Sequence, residues 1–225
     1  MARPPTENPA HNPTISGHEG LGGSGDHIEG TGAAERRGVM RPVASRWSTV
    51  FLDVDEVLCL GQAEAGWNLS RTFARNEVPS RQQLATLFSP VARNALAVAH
   101  RRSGGAKYVI SSSWREHFSR EQMAFVLEGG GLQFVADNLH EGDAWRCVPI
   151  RVHRERQADI MRWLETHHQG EPFVVLDDRY SAGRLAFVHH FPDSPLFGRV
   201  VLCTPGTGLT MDHVDDIVST LRRPA

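Results

Sequence analysis

Lysine is almost missing from this sequence: Lys107 is the only one, so a role that needs a positive side chain falls to arginine. Cysteine is scarce too. Cys59, Cys147 and Cys203 are odd in number and far apart, without the close pairs of a zinc site or a disulfide framework, which fits a reducing, cytoplasmic setting. No apolar run approaches the length of a membrane span, and the N-terminus lacks the basic and hydrophobic blocks of a secretory signal, so a soluble protein is expected. Charge of one sign is also lacking. A formal net charge of −2 gives no bulk footprint for nucleic acid or an anionic membrane and leaves only a local basic surface open.

What is present suffices for one core, since the 225 residues are 40% apolar. Residues 1–45 are rich in Pro, Gly, Asn, Glu and His without apolar periodicity, and are expected to form a disordered tail ahead of a single domain over 46–225. The cluster Gly20, Gly22, Gly23 and Gly25 has no strand before it and no Gly-Lys-Ser/Thr after it, which argues against a phosphate loop.

The domain is organised around residues 48–60, an apolar run that carries Asp53 and Asp55. Residues two apart on a strand share a face, so both carboxylates are expected to project from the strand's C-terminal end, where open α/β sheets bind ligands. Two like charges on one side of a strand tip repel unless a cation sits between them, and a divalent metal is the simplest occupant. Residues 60–79 show no sustained period and are expected to form a flap, in which Trp67, Phe73, Arg71 and Arg75 either grip a nucleotide or pack and solvate in the ordinary way.

Helical patterns follow over 80–88 and 90–102, with Pro90 at a helix start and Ser103-Gly104-Gly105 as the stop. Lys107–Ile110 reads as a second buried strand running into Ser111, Ser112, Ser113, Trp114 and Arg115, and the helix between the strands predicts a right-handed crossover. By the residues alone, the serines cap a helix starting near Glu116, Trp114 packs, and Arg115 is exposed. A helix is expected over 119–127, closed by three glycines, and a longer one over 151–168 with Ile160, Trp163 and Leu164 on one face. The strand Phe173–Leu176 then delivers Asp177 and Asp178 to the same sheet edge as Asp53. A strand over 199–203 and a helix capped by Thr210 complete the pattern, and Gly206-Thr207-Gly208 is explained by a turn. The pairs His167-His168 and His189-His190 lack the helical i, i+4 spacing of zinc sites, so no metal is assigned to them.

Asp53-Val54-Asp55-Glu56-Val57 after an apolar strand resembles the first motif of the haloacid dehalogenase (HAD) superfamily, most of whose members are magnesium-dependent phosphatases. Glu56 stands where many members have Gly, although the carboxy-terminal-domain phosphatases also carry Glu there. With Ser-Ser-Ser-Trp-Arg at 111–115, Arg156-Gln157-Ala158-Asp159-Ile160 and the following Trp163-Leu164, Asp177-Asp178 and Gly208-Leu209-Thr210, the chain from about 48 to 222 resembles the HAD domain of Swiss Army Knife RNA repair proteins. The resemblance implies an α/β three-layer sandwich with a Rossmann-like parallel sheet and little or no cap.

It also implies a site. Asp53 is the nucleophile, Asp55 the acid and base, and Ser112, with Ser111 as runner-up and Ser113 and Arg115 nearby, binds the phosphoryl oxygens. Arg156 supplies the cation, with Arg154 and Arg151 as alternatives. Mg2+ is held by Asp53, the Asp55 carbonyl, and Asp178 with Asp177. The substrates implied are phosphorylated RNA or nucleotide ends; a small-metabolite phosphatase and a catalytically silent binding module are the rivals.

Overall fold

Four apolar runs, β1 (Ser48–Leu52), β2 (Ala106–Ile110), β3 (Phe173–Asp178) and β4 (Val200–Cys203), form an all-parallel sheet in the order β2-β1-β3-β4. This is seen in a computed structural model that describes residues 47–62, 64–148 and 155–224. The N-terminal tail expected over 1–45, and Arg151 and Arg154, lie outside the described residues. Parallel neighbours require long connections, and helices supply them. From β1 to β2 the chain passes through α1 (Ala65–Ala74), α2 (Arg81–Ala85) and α3 (Pro90–Ser103). From β2 to β3 it passes through α4 (Arg120–Gly129), α5 (Gln133–Ala136) and α6 (Arg156–His167). Short α7 (Leu185–Val188) precedes β4, and α8 (Val214–Arg222) follows it.

The three layers come directly from strand alternation. Val50, Leu52, Tyr108, Ile110, Val174 and Leu176 pack into one core with Leu84, Leu96, Met123 and Ile217 of the helices on that side. Their neighbours Phe51, Val109, Phe173 and Val175 point to the other face, where they meet Ile160 and Trp163 of α6 and Leu185 of α7. Phe51 lies edge-on to Trp163 with ring centroids 5.0 Å apart. The architecture is thus the expected α/β sandwich, and no helix among the described residues is long and apolar enough to cross a membrane.

Local signals explain most helix ends. Ser80 and Ser119 form capping boxes with Gln83 and Gln122, Pro90 opens α3, and Gly104 closes it at φ +85°. The presumed flap is different, because its main part is the ten-residue helix α1. Its core-facing stripe is Ala65, Leu69 and Phe73, spaced i, i+4, i+8, but only Gly66 and Leu69 of the helix are buried, so the periodic signal is short and partly exposed. Phe73 packs against Phe118 and Phe125, Arg75 pairs with Glu77, and Trp67 meets His117 edge-on. Ser112 caps a 3-10 turn over Ser113–Glu116, not a helix beginning at 116. Thr210 likewise caps a short 3-10 turn that runs into α8.

Candidate active site

β1 ends at Leu52, and its tip is fixed on both sides by the sheet. The Asp53 amide donates to the Leu176 carbonyl at 3.0 Å, and the Ser111 amide donates to the Leu52 carbonyl at 3.0 Å. Three strand ends therefore meet at one edge. Asp53, Asp177 and Asp178 are all buried there, with one oxygen of each within 4.8 Å of the others, the one such acidic, His or Cys cluster among the described residues.

The cluster is short of positive charge. Arg156, at the first turn of α6, places Nη1 2.9 Å from Asp53 Oδ2 and 2.5 Å from Asp177 Oδ1, and donates to Ser181 Oγ at 3.0 Å. Although burial opposes its charge, Asp53 and Asp177 outweigh that and hold the guanidinium more firmly protonated than usual. One cation does not satisfy three carboxylates. Both oxygens of Asp53 and Oδ2 of Asp177 are buried without a well-directed hydrogen bond. Burial raises the pKa of Asp53 against the pull of Arg156, and burial together with Asp53 raises that of Asp177. Asp178 is better partnered: its Oδ1 accepts from the Tyr180 and Ser181 amides at 2.7 and 3.0 Å, and its Oδ2 accepts from the Ser181 hydroxyl. Unmet oxygen donors converging in a buried, net-negative site suit a hard divalent cation such as Mg2+.

Asp55 does not continue the alternation, because the chain turns after Asp53. The Leu58 and Cys59 amides both donate to the Val54 carbonyl at 2.9 Å, and the Asp55 carboxylate leaves the buried trio. It is half-buried instead and receives the Trp114 indole N–H, with Nε1 3.0 Å from each oxygen, plus a long contact from Ser113 Oγ at 3.5 Å. Burial pushes its carboxyl up to about 6, the Trp114 hydrogen bond holds it back, and Asp53 adds to the rise. Trp114 packs against Phe88 and Phe118, so the expectation of a packing residue holds, but its polar edge serves the site. Gly66 of α1 makes that possible, since a Cβ there would lie 2.7 Å from Trp114 Nε1.

The serine segment divides its tasks. Ser111 and Ser112 are fully buried; the Ser112 hydroxyl accepts from the Trp114 amide at 3.4 Å and helps to lower the Asp53 pKa, while the Ser111 hydroxyl has no hydrogen-bond partner. Ser113 is exposed beside Asp55. Arg115 is not the exposed side chain expected at a helix start. It is buried, donates to the Ser111 and Ser112 carbonyls at 2.5 and 2.7 Å, and reaches Asp159 of α6 at 2.5 Å, so it braces the serine loop and does not face an open site.

Glu56 has a physical reason to differ from Gly. Its backbone sits at φ +56°, where Gly is usual, and its carboxylate accepts from the Gly61 amide at 2.8 Å and the Gly206 amide at 2.5 Å. The side chain thereby ties the loop after β1 to the loop after β4. Gly208, at φ +69°, lets those loops touch, because a Cβ there would lie 2.7 Å from the Val57 carbonyl.

Ser181, Asp159 and the polar role of Trp114 were not foreseeable from periodicity. An Asp-Asp followed by a serine three residues on was the one available hint of Ser181, as a local side-chain-to-backbone turn. Lys107, as expected from its place early in β2, lies away from the cluster and over the Trp47 ring at 6.0 Å.

No curated protein and no solved structure matches the chain. A model of the family described as the HAD domain in Swiss Army Knife RNA repair proteins matches residues 49–214, the stretch that runs from β1 to the start of α8 and carries every side chain of the cluster. With that match covering most of its length, the chain belongs to the HAD domain family of Swiss Army Knife RNA repair proteins.

Proposed function

We propose that the domain over about 46–225 is a Mg2+-dependent phosphomonoester hydrolase that works through an aspartyl-phosphate on Asp53 and acts on phosphorylated RNA or nucleotide ends. The family supports a HAD-type phosphohydrolase in general terms. The observation that carries the finer reading is the buried trio of Asp53, Asp177 and Asp178, in which Asp53 and Asp177 are short of hydrogen-bond donors and share a single arginine.

In this mechanism an Asp53 oxygen attacks phosphorus, and the bond from phosphorus to the substrate oxygen breaks. Asp55, whose raised pKa keeps a proton available near neutral pH, protonates the departing oxygen. It then takes a proton from the water that attacks the aspartyl-phosphate, which releases inorganic phosphate and restores the Asp53 carboxylate. Ser112 and Arg156 hold the phosphoryl oxygens, with Ser111 the next hydroxyl available. Asp53, Asp177, Asp178 and the Asp55 carbonyl would hold Mg2+, which when bound offsets charge on the transferring group. Arg115 keeps a bracing role.

The test is hydrolysis of a panel of phosphorylated RNA ends, nucleotides and sugar phosphates with and without Mg2+, with Asp53→Asn as control. Mg2+-dependent release that Asp53→Asn abolishes is expected. Full activity in Asp53→Asn excludes the nucleophile, preference for sugar phosphates selects a metabolite phosphatase, and silence toward the whole panel selects a binding module.

A further inference from the structure

β4 is an edge strand: β3 pairs with one side of it, and a cleft of about 620 Å3 lies along it. Arg179, Arg223, His189, His190 and His213 line this cleft, against the single carboxylate of Asp216. The cleft spans the strand. At one end the Arg179 amide donates to the Cys203 carbonyl, and at the other the Arg223 guanidinium donates to the Gly198 carbonyl. Arg179 directly follows Asp178, so the first end lies one residue along the chain from the carboxylate cluster.

Exposed aromatic residues neighbour the cleft lining in sequence. Tyr180, Phe187, Phe191 and Phe197 are 89%, 68%, 60% and 50% exposed, and each is the sequence neighbour of a cleft-lining residue, namely Arg179, Ala186, His190 and Gly198. Adjacent Cα atoms are about 3.8 Å apart, so the backbones of these four residues border the lining, and their rings are open to solvent. An acidic peptide would use the cations and leave the rings in water, whereas an apolar peptide would have no use for the cations. A single-stranded nucleic acid presents regularly spaced anions and flat apolar faces together, which matches both features.

We propose that the β4 cleft and its aromatic rim bind a single-stranded polynucleotide, phosphates along the cationic lining and bases on the rim, and deliver its phosphorylated end to Asp53. The delivery step rests on the phosphohydrolase reading; the binding surface does not.

The experiment uses the full chain carrying Asp53→Asn, and fluorescence anisotropy with a labelled, end-phosphorylated RNA oligonucleotide across a salt series. Phe191→Ala is expected to weaken binding about tenfold with little change in salt dependence. Arg179→Gln is expected to lower the slope of log K against log salt by about 0.7, the value for one phosphate contact on a single strand. In the chain that keeps Asp53, hydrolysis of a small aryl phosphate should be unchanged by Phe191→Ala, while KM for the oligonucleotide rises with either substitution.

No binding at low salt, binding indifferent to both substitutions, or a polyglutamate peptide that binds as tightly as the oligonucleotide would each overturn the surface. Hydrolysis of the aryl phosphate without oligonucleotide binding overturns this proposal and leaves the phosphatase standing. Oligonucleotide binding that both substitutions weaken, with no hydrolysis of any phosphoester, upholds the surface and removes the phosphatase.

Discussion

Replacing Asp53, the proposed nucleophile, should make the metal-free protein more stable. Asp53, Asp177 and Asp178 hold oxygens within 4.8 Å of one another, and at an effective dielectric of about 20 each such pair repels by roughly 3.5 kcal/mol. With all three ionised, above the pKa of about 7 to which Asp177 is raised, Asp53→Asn removes two of those repulsions, roughly 7 kcal/mol, and one attraction to Arg156 at 2.9 Å of roughly 6 kcal/mol. It also removes the desolvation cost of a fully buried carboxylate, the main reason why the Asp53 pKa is raised. A net gain of about 2 kcal/mol is expected, which for a domain of this size raises Tm by about 4–8 °C. Magnesium is expected to reverse the order. At about 100 times its Kd, Mg2+ held by the proposed site should stabilise the unsubstituted protein by about 2.7 kcal/mol, and Asp53→Asn should forgo most of that gain. Thermal melts in EDTA and in saturating Mg2+ measure both arms. An Asp53→Asn protein that melts below the parent in EDTA, or a parent whose Tm ignores Mg2+, would refute the picture of a charge-strained site waiting for a cation.

Trp114→Phe keeps the ring but removes the donor to Asp55, so hydrolysis of an alkyl phosphate should fall by about ten- to a hundredfold while an ester with an activated leaving group is barely affected. Gly66→Ala, which drives a Cβ into the indole, should give the same leaving-group pattern, and equal losses on both substrates would contradict it. At position 56, Ala keeps the positive φ and loses both hydrogen bonds, whereas Gly loses the bonds but relieves the backbone; denaturant melts should place Glu56→Ala below Glu56→Gly by about 1 kcal/mol. His140, far from the cluster beside Thr49, titrates near 4 because burial, aided by Lys107 and His167 and opposed by Glu171, disfavours its charge. Between pH 6.5 and 4 the unfolded chain therefore binds more protons, so stability falls as pH falls through that window, by about 1–2 kcal/mol after allowing for partial exposure. His140→Gln should flatten that decline, and an unchanged pH profile of chemical denaturation would count against it.

The sheet and the acidic cluster were legible because strand alternation and carboxylates at strand tips are short-range signals. Val50-Phe51-Leu52 and Val174-Val175-Leu176 needed no partner to be recognised, and Asp53, Asp177 and Asp178 converge as expected. Arg156 followed from resemblance alone, and its place between Asp53 and Asp177 gives it a geometric reason. Helix α1 was hidden because its stripe of Ala65, Leu69 and Phe73 is short and mostly half-exposed, and because Gly66, which leaves room for Trp114, has no side chain to signal it. The Arg115–Asp159 pair spans 44 residues and joins a loop to a different helix, a relation with no local trace. Glu56 looked like a departure from pattern because its two partners, Gly61 and Gly206, lie on separate loops.

Register is what binds the chemistry to the fold. Phe51 and Val175 sit in the core on the α6 side, so alternation along β3 also turns Asp177 toward α6, whose first turn carries Arg156. Asp178 faces the opposite way and is met there by Ser181 and the amides of the following loop. Pairing of Leu52 with Leu176 sets Asp53 beside Asp177 at the edge. A slip of one residue in β3 would exchange the two aspartates between faces and place Val175 where Leu176 packs, so the same apolar pattern that holds the sheet together selects which carboxylate meets the arginine. Burial of Phe51, Val175 and Trp163 is therefore a condition for the charge arrangement as well as for stability, and a Phe51→Ala substitution, expected to cost about 3–5 kcal/mol, should loosen Arg156 from Asp53 before it unfolds the domain.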